Sequence, residues 1–147
     1  MKYKVISFDL QGTLSDHAFS DEFWIALLPK LYSENRNMVL EEAKKELSIR
    51  FKEYGRYDLR YYSVLYWIKE LGLKITFDDI RKRIKAKPFL FEDTLNVVRK
   101  LFGRVRLIII SSTTNDFIEA ELGESRKYFE HVYSSLGNFG VAGKPRE

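Results

Sequence analysis

Two short apolar segments, separated by a long stretch of helical periodicity, organise the chain. Segments 4–8 and 105–110 are rich in β-branched and aromatic residues and predict buried strands, and a third short strand is predicted within 128–134. Apolar positions recurring every three to four residues predict helices at about 19–32, 37–54, 58–71, 76–84, 92–102 and 116–122. This alternation predicts an α/β fold with a parallel sheet of about three strands. The four successive helices at about 15–87 predict an inserted helical subdomain.

Local signals sharpen the helix boundaries. Asp58 is a good N-cap for the third helix, which Gly72 should end. Thr76 and Asp79 resemble a capping box for the fourth helix. Pro29 lies inside the first helical pattern and should end or kink that helix.

Composition narrows the protein classes. The 147 residues are 45% hydrophobic and 31% charged, which is ordinary for a soluble globular protein. No apolar run in the sequence approaches the length that is needed to span a membrane. The N-terminus leads directly into a strand rather than a signal-peptide segment, so we expect a cytoplasmic protein. The absence of cysteine excludes disulfides, thiolate metal sites and a cysteine nucleophile. The many charges of both signs also suit a heat-adapted protein.

The net charge of +4 raises the question of anionic partners. Basic and acidic residues are interleaved through most of the chain, and the one compact basic run is 81–87. This run predicts a solvated helix face, with attraction of an anionic substrate as the alternative. We expect no specific nucleic-acid partner and no membrane partner.

Candidate chemistry begins at Asp9, which follows the first predicted strand. Ligands bind at the carboxyl ends of strands in parallel α/β sheets. Gly12 lets the chain turn sharply, and exposed loop amides there can hold an anion. A carboxylate in this place can attack a phosphoryl group. Ser111, after the second strand, could donate to a phosphoryl oxygen, and Lys144 could neutralise the charge.

These segments resemble the motifs of the haloacid dehalogenase superfamily of hydrolases. Phe8-Asp9-Leu10-Gln11-Gly12-Thr13-Leu14 is similar to the first motif, Leu107-Ile108-Ile109-Ile110-Ser111 to the second, and 128–135 through Gly143-Lys144-Pro145 to the third. The resemblance implies a Rossmann-like core formed by 1–14 and 88–147, with residues 15–87 as a helical cap. It also implies hydrolysis of a small phosphorylated metabolite with Mg²⁺ through an aspartyl phosphate.

The resemblance assigns roles to particular residues. The catalytic candidates are Asp9, Gln11, Ser111 and Lys144, with Gln11 orienting the site. The predicted substrate-binding residues are Gly12, Thr13 and Ser112. The predicted magnesium ligands are Asp9 and Gln11, the latter through its main-chain carbonyl.

Two features depart from the family pattern. Phosphatases of this superfamily carry a second Asp two residues after the nucleophile, where this chain has Gln11, and an amide cannot shuttle a proton. The family's fourth motif supplies further metal-binding Asp residues well beyond the Lys-Pro pair, whereas this sequence ends at Glu147. We therefore expect a truncated chain with an incomplete magnesium site and impaired activity. Its open sheet edge would favour a homo-oligomer.

Two alternatives remain open at this stage. A carbon–halogen hydrolase needs no second Asp, and its anion-binding arginine would be Arg56 or Arg60. An inactive fragment that mediates assembly is the second alternative.

Overall fold

The computed structural model describes residues 3–55, 58–86 and 90–142. The chain forms two compact units, one made of Met1–His17 with Pro88–Glu147 and the other of Ala18–Lys87. We call them the sheet unit and the helical unit. The strands are β1 (Val5–Phe8), β2 (Arg106–Ser111) and β3 (His131–Ser134). The α-helices are α1 (Ala18–Asp21), α2 (Leu28–Arg36), α3 (Leu40–Tyr54), α4 (Leu59–Tyr62), α5 (Val64–Glu70), α6 (Phe77–Arg83), α7 (Glu92–Leu101), α8 (Asn115–Leu122) and α9 (Ser135–Phe139).

The three strands form one parallel sheet in the order β1-β2-β3. Phe8 pairs with Ile109, and Ser111 pairs with Ser134, so the carboxyl ends of the strands lie at one edge. The predicted α/β class with a three-stranded parallel sheet is confirmed.

One face of the sheet carries the core of this unit. Leu107 and Ile109 are buried there among residues of α7 and α8, including Val98 and Ile118. The opposite face is open among the described residues. Val5 is 40% exposed and Ile110 is 38% exposed on that face. The continuous apolar runs predicted fully buried strands, and in this respect the prediction is wrong because one helical layer covers only one face.

Near the start of the helical unit, the hydrogen-bond spacing of the helix changes. After α1 the chain forms a π-helical segment, Glu22–Leu27, and continues directly into α2. The N–H of Leu28 bonds to the carbonyl of Phe23, five residues back. Pro29 follows in the first turn of α2, where a missing N–H is tolerated. The helix therefore continues through Pro29, so of the two predicted outcomes, an end or a kink, the end is wrong.

The third predicted helix is split in two. Asp58 caps α4, as predicted, but Ser63 adopts an extended backbone and caps α5 by accepting from the N–H of Tyr66. The predicted capping box of Thr76 and Asp79 is present at α6. Trp67 is fully buried in the aromatic core of this unit.

In each unit, backbone and side-chain bonds join the first segment of that unit to a later one. In the sheet unit, Ser15 bridges to Leu90, and the N–H of Phe91 donates to the carbonyl of Leu14 at 2.8 Å. In the helical unit, the Glu22 carboxylate accepts from the N–H groups of residues 85 and 86 at 2.9 and 2.7 Å. No helix in the described part of the chain is both long and apolar enough to cross a membrane.

Candidate active site

The sheet brings two predicted site residues to the same edge. Asp9 directly follows β1, and Ser111 is the last residue of the neighbouring β2. Since the strands are parallel, both side chains lie at the carboxyl edge, where such sheets bind ligands. Asp9 is half-buried, and its Oδ1 accepts from the N–H of Leu10 at 2.9 Å.

The turn after Asp9 is held by its own backbone. Gly12 has a φ of +77°, in the left-handed region that favours glycine. Its N–H donates to the carbonyl of Ser15 at 2.7 Å, while the N–H of Thr13 donates to Leu10 at 3.1 Å. Both residues are exposed, but the N–H groups that the sequence analysis offered to an anion are used within the turn.

The second loop orients Ser111. This side chain is buried, and its Oγ accepts from the N–H of Thr113 at 3.1 Å, which leaves its hydroxyl proton available to a ligand oxygen. Ser112 is exposed. The carbonyl of Thr113 accepts from the hydroxyl of fully buried Ser134 at 2.6 Å. The loop after β2 is thereby bonded to the end of β3.

Gln11 is bonded at both ends of its amide. Its Nε2 donates to Oε1 of Glu121 at 2.5 Å, and its Oε1 accepts from the hydroxyl of Thr113 at 2.7 Å. The other carboxylate oxygen of Glu121 accepts from the Ser15 hydroxyl at 3.0 Å. We call these four residues the Gln11–Glu121 network.

Glu121 is an unusual residue for a helix interior face. It lies on α8 and is only 3% exposed, and carboxylates are rarely buried to this extent without partners. Burial raises the pKa of Glu121, and the hydrogen bonds from Gln11 and Ser15 partly oppose that rise. The nearby charge of His17 also lowers it, and that of Asp16 raises it.

The sequence analysis missed Glu121, Ser15 and Thr113. The signal for Glu121 was present, because it lies three and four residues after Ile118 and Phe117, on the buried side of α8. An acidic residue in that place predicts a buried polar contact.

Two more hydroxyls at this edge are buried without a hydrogen-bond partner among the described residues. They belong to Thr114, at the start of α8, and Ser135, directly after β3. Unsatisfied buried polar groups are uncommon in folded proteins, and they mark this edge as a place with unused hydrogen-bonding capacity.

Lys144 and Arg56 lie outside the described residues. Arg60 belongs to the helical unit, where its guanidinium donates to both carboxylate oxygens of Asp58 and lies 4.8 Å from the centroid of the Tyr54 ring. The bonds from Arg60 hold the pKa of Asp58 below its usual range.

The predicted magnesium ligands are the Asp9 carboxylate and the main-chain carbonyl of Gln11. Among the described residues, no three His, Asp or Glu side chains cluster closely enough to hold a metal. Magnesium, however, is often bound by one or two carboxylates together with water and substrate phosphate. The Asp9 carboxylate and the main-chain carbonyl of Gln11 suit that pattern, whereas the Gln11 amide is already bonded elsewhere.

Sequence comparison places the chain near a nucleotidase. No protein-family model matches it. The GMP/IMP nucleotidase YrfG of Escherichia coli is 26% identical over 106 residues, which are 71% of this chain and 46% of that protein. The same values hold for its namesake in Shigella flexneri.

Structure comparison identifies the fold. A HAD phosphatase from Thermococcus onnurineus superposes with a TM-score of 0.68 at 18% identity, over 90% of this chain and 62% of that one. The magnesium-bound HAD-hydrolase YfnB from Bacillus subtilis gives 0.51 at 16% identity, with 96% and 68% covered. The L-2-haloacid dehalogenase from Xanthobacter autotrophicus gives 0.50 at 18% identity, with 98% and 60% covered.

The fold is that of the haloacid dehalogenase-like hydrolases, and the resemblance predicted from the motifs is confirmed. The chain is thus similar to a protein described as a nucleotidase and to one described as a phosphatase. It spans about half the length of the curated relatives it matches, and less than two thirds of the Thermococcus chain.

Proposed function

We propose that the sheet unit carries the nucleophile and part of the phosphate site of a phosphomonoester hydrolase. The observation that carries the proposal is the place of Asp9, directly after β1 and beside the strand that ends at Ser111. In this proposal residues 18–87 form the cap of the enzyme.

The proposed reaction has two displacement steps. A carboxylate oxygen of Asp9 attacks phosphorus, and the bond to the ester oxygen breaks with its electron pair leaving on the alkoxide. Water then attacks phosphorus, releases inorganic phosphate and regenerates the carboxylate. The hydroxyl of Ser111 donates to a phosphoryl oxygen throughout. Magnesium, when bound, would reduce the repulsion between the carboxylate and the phosphate.

Gln11 sets the expected rate of the first step. An amide cannot protonate the departing alkoxide, and general acid catalysis is typically worth about 10²–10⁴-fold. We therefore propose slow turnover with alcohol leaving groups. An activated ester such as p-nitrophenyl phosphate should lose much less, because its leaving group needs no proton.

Purine nucleoside monophosphates are the substrates that we propose to test first. The Escherichia coli relative is described as a GMP/IMP nucleotidase. The helical unit separately contains a cavity of about 400 Å³ that is lined by Trp24, Phe51, Tyr61 and Tyr62. Such rings suit stacking against a planar base.

The decisive experiment measures phosphate release from GMP, IMP and p-nitrophenyl phosphate with and without Mg²⁺. Asp9→Asn should abolish release from all three, and EDTA should suppress it. Asp93→Asn, an exposed acid at the start of α7, is the matched control and should retain activity. Release that survives Asp9→Asn would refute the assignment of the nucleophile.

A carbon–halogen hydrolase is the second candidate, because the bonded amide of Gln11 is compatible with attack on carbon. Its weakness is the anion-binding arginine, since the Arg60 guanidinium is already bonded to Asp58. Halide release from 2-chloropropionate that depends on Asp9 and survives EDTA would favour it.

We also propose that the chain self-associates through its sheet. Within the three-stranded sheet, β1 and β3 each have one neighbouring strand, and free edges of this kind pair readily with another chain. Light scattering after size-exclusion chromatography should show a dimer or larger species, and a monomer at high concentration would refute this.

A further inference from the structure

The Gln11–Glu121 network joins the turn after β1, the loop after β2 and helix α8. Glu121 is contributed by α8, more than a hundred residues from Gln11 and Ser15 in the sequence. Its carboxylate is nearly inaccessible to water, so its energy depends on the bonds that it accepts. Both bonds come from residues of the turn that follows Asp9.

The bonding pattern fixes the direction of the Gln11 amide. A carboxylate only accepts hydrogen bonds, so the NH₂ end of Gln11 must face Glu121. The carbonyl end is then left to accept from the hydroxyl of Thr113, as observed at 2.7 Å. An amide turned the other way would place two acceptors against each other. Glu121 therefore determines which end of Gln11 meets the loop after β2.

The chain of bonds continues to the candidate phosphate ligand. The N–H of Thr113 donates to the Oγ of Ser111, so the residue that meets Gln11 through its side chain also orients Ser111 through its backbone. The loop after β1, which carries Asp9, is thus joined to the loop that carries Ser111.

We propose that Glu121 is a positioning residue, which holds Gln11 between the two loops and thereby aligns Asp9 with Ser111. This inference rests on the phosphohydrolase function proposed above. It explains why residue 11 is glutamine, because this position needs a neutral side chain with a hydrogen-bond donor at one end and an acceptor at the other. A carboxylate at position 11 would face the carboxylate of Glu121.

The test is a double-mutant cycle on the 147-residue chain with p-nitrophenyl phosphate. Glu121→Ala should lower kcat about tenfold and change KM less than about twofold, since alignment rather than binding is lost. Glu121→Gln should restore kcat, because its amide oxygen can accept from Gln11 while its NH₂ donates to Ser15. Glu119→Ala, at an exposed position on the same helix, should have no effect.

The cycle is completed by Gln11→Ala and the double variant. If Glu121 acts through Gln11, then Glu121→Ala should lower kcat only slightly further in a chain that already carries Gln11→Ala. Effects on kcat that multiply would overturn the proposal, as would a Glu121→Gln variant that is as slow as Glu121→Ala. Should Glu121→Ala fail to fold, Glu121→Leu refills the volume and takes its place in the cycle.

A second readout separates this inference from the proposed function. If the wild-type chain has no Asp9-dependent activity, the phosphohydrolase proposal fails, and the same four chains are compared by thermal unfolding. A loss of Tm in the double variant that is smaller than the sum of the two single-variant losses supports the Gln11–Glu121 coupling. Additive losses overturn it.

Discussion

The hydroxyl of Ser134 offers a stringent test of how the site edge is held together. The side chain is fully buried, its Oγ donates to the carbonyl of Thr113 at 2.6 Å, and it accepts from the N–H of Gly137 at 2.8 Å. Ser134→Ala removes one oxygen and leaves two main-chain groups without partners. A buried group that loses its partner costs about 1–3 kcal/mol, and the N–H of exposed Gly137 can bond to water instead, so we expect about 1–3 kcal/mol of lost unfolding free energy.

The assay must report on the sheet unit. Both tryptophans, Trp24 and Trp67, lie in the helical unit, so tryptophan fluorescence follows that unit and not the sheet. Hydrogen exchange of the β2 and β3 amides, measured over a series of urea concentrations, reports on the sheet unit. Ser7→Ala, an exposed serine on β1, is the matched control and should stay within about 0.5 kcal/mol of wild type.

The expected loss is a large part of the roughly 5–15 kcal/mol by which folded domains are stable. A loss below about 0.5 kcal/mol with unchanged urea dependence would refute the reasoning, because it would mean that neither bond contributes to the folded state. Faster exchange confined to the loop after β2 would instead locate the effect at the Thr113 carbonyl.

Three further predictions follow from other parts of the chain. Burial raises the pKa of Glu121. The stability that this side chain contributes is therefore full below the ordinary glutamate pKa and is lost as pH rises through the raised value. The Tm of Glu121→Gln relative to wild type should consequently increase from pH 5 to pH 8. Gly137→Ala should destabilise the chain by less than about 1 kcal/mol in urea unfolding, because the new Cβ would lie 2.5 Å from Nδ2 of Asn115, an exposed side chain that can move aside. Arg106→Ala should cost less than about 1 kcal/mol in the same assay, because its ion pair with Glu130 is exposed to solvent.

The sequence predicted the class of fold because its strongest signals are local. The segments 4–8 and 105–110 matched strands Val5–Phe8 and Arg106–Ser111 within one residue at each end, and the helix predicted at 92–102 matched Glu92–Leu101. The helix does not end at Pro29, because a π-helical turn before it changes where an N–H is needed. Ser63 broke a helix whose apolar spacing continues across it, and only its capping bond shows why.

The candidate site divides in the same way between local and distant information. Asp9 and Ser111 could be named because each follows an apolar strand, and strand ends are visible in the sequence. The orientation of Gln11 could not be predicted, because it depends on the carboxylate of Glu121, 110 positions away in the sequence. Contacts of that kind arise from the packing of α8 against the sheet, which no short-range pattern encodes.

The closure of each unit upon itself makes the long insertion modular. The sheet unit keeps its own ends together through Ser15 and Leu90, and the helical unit ties its first and last segments through Glu22. Each of these sets of bonds is formed by residues of a single unit. We therefore expect that the helical unit can be exchanged for another helical unit, or replaced by a short loop, at the two points where the chain passes between the units. The hydrogen bonds that shape the candidate site would stay in place. For the proposed hydrolase, we therefore expect that substrate preference and core chemistry can change independently during evolution or design.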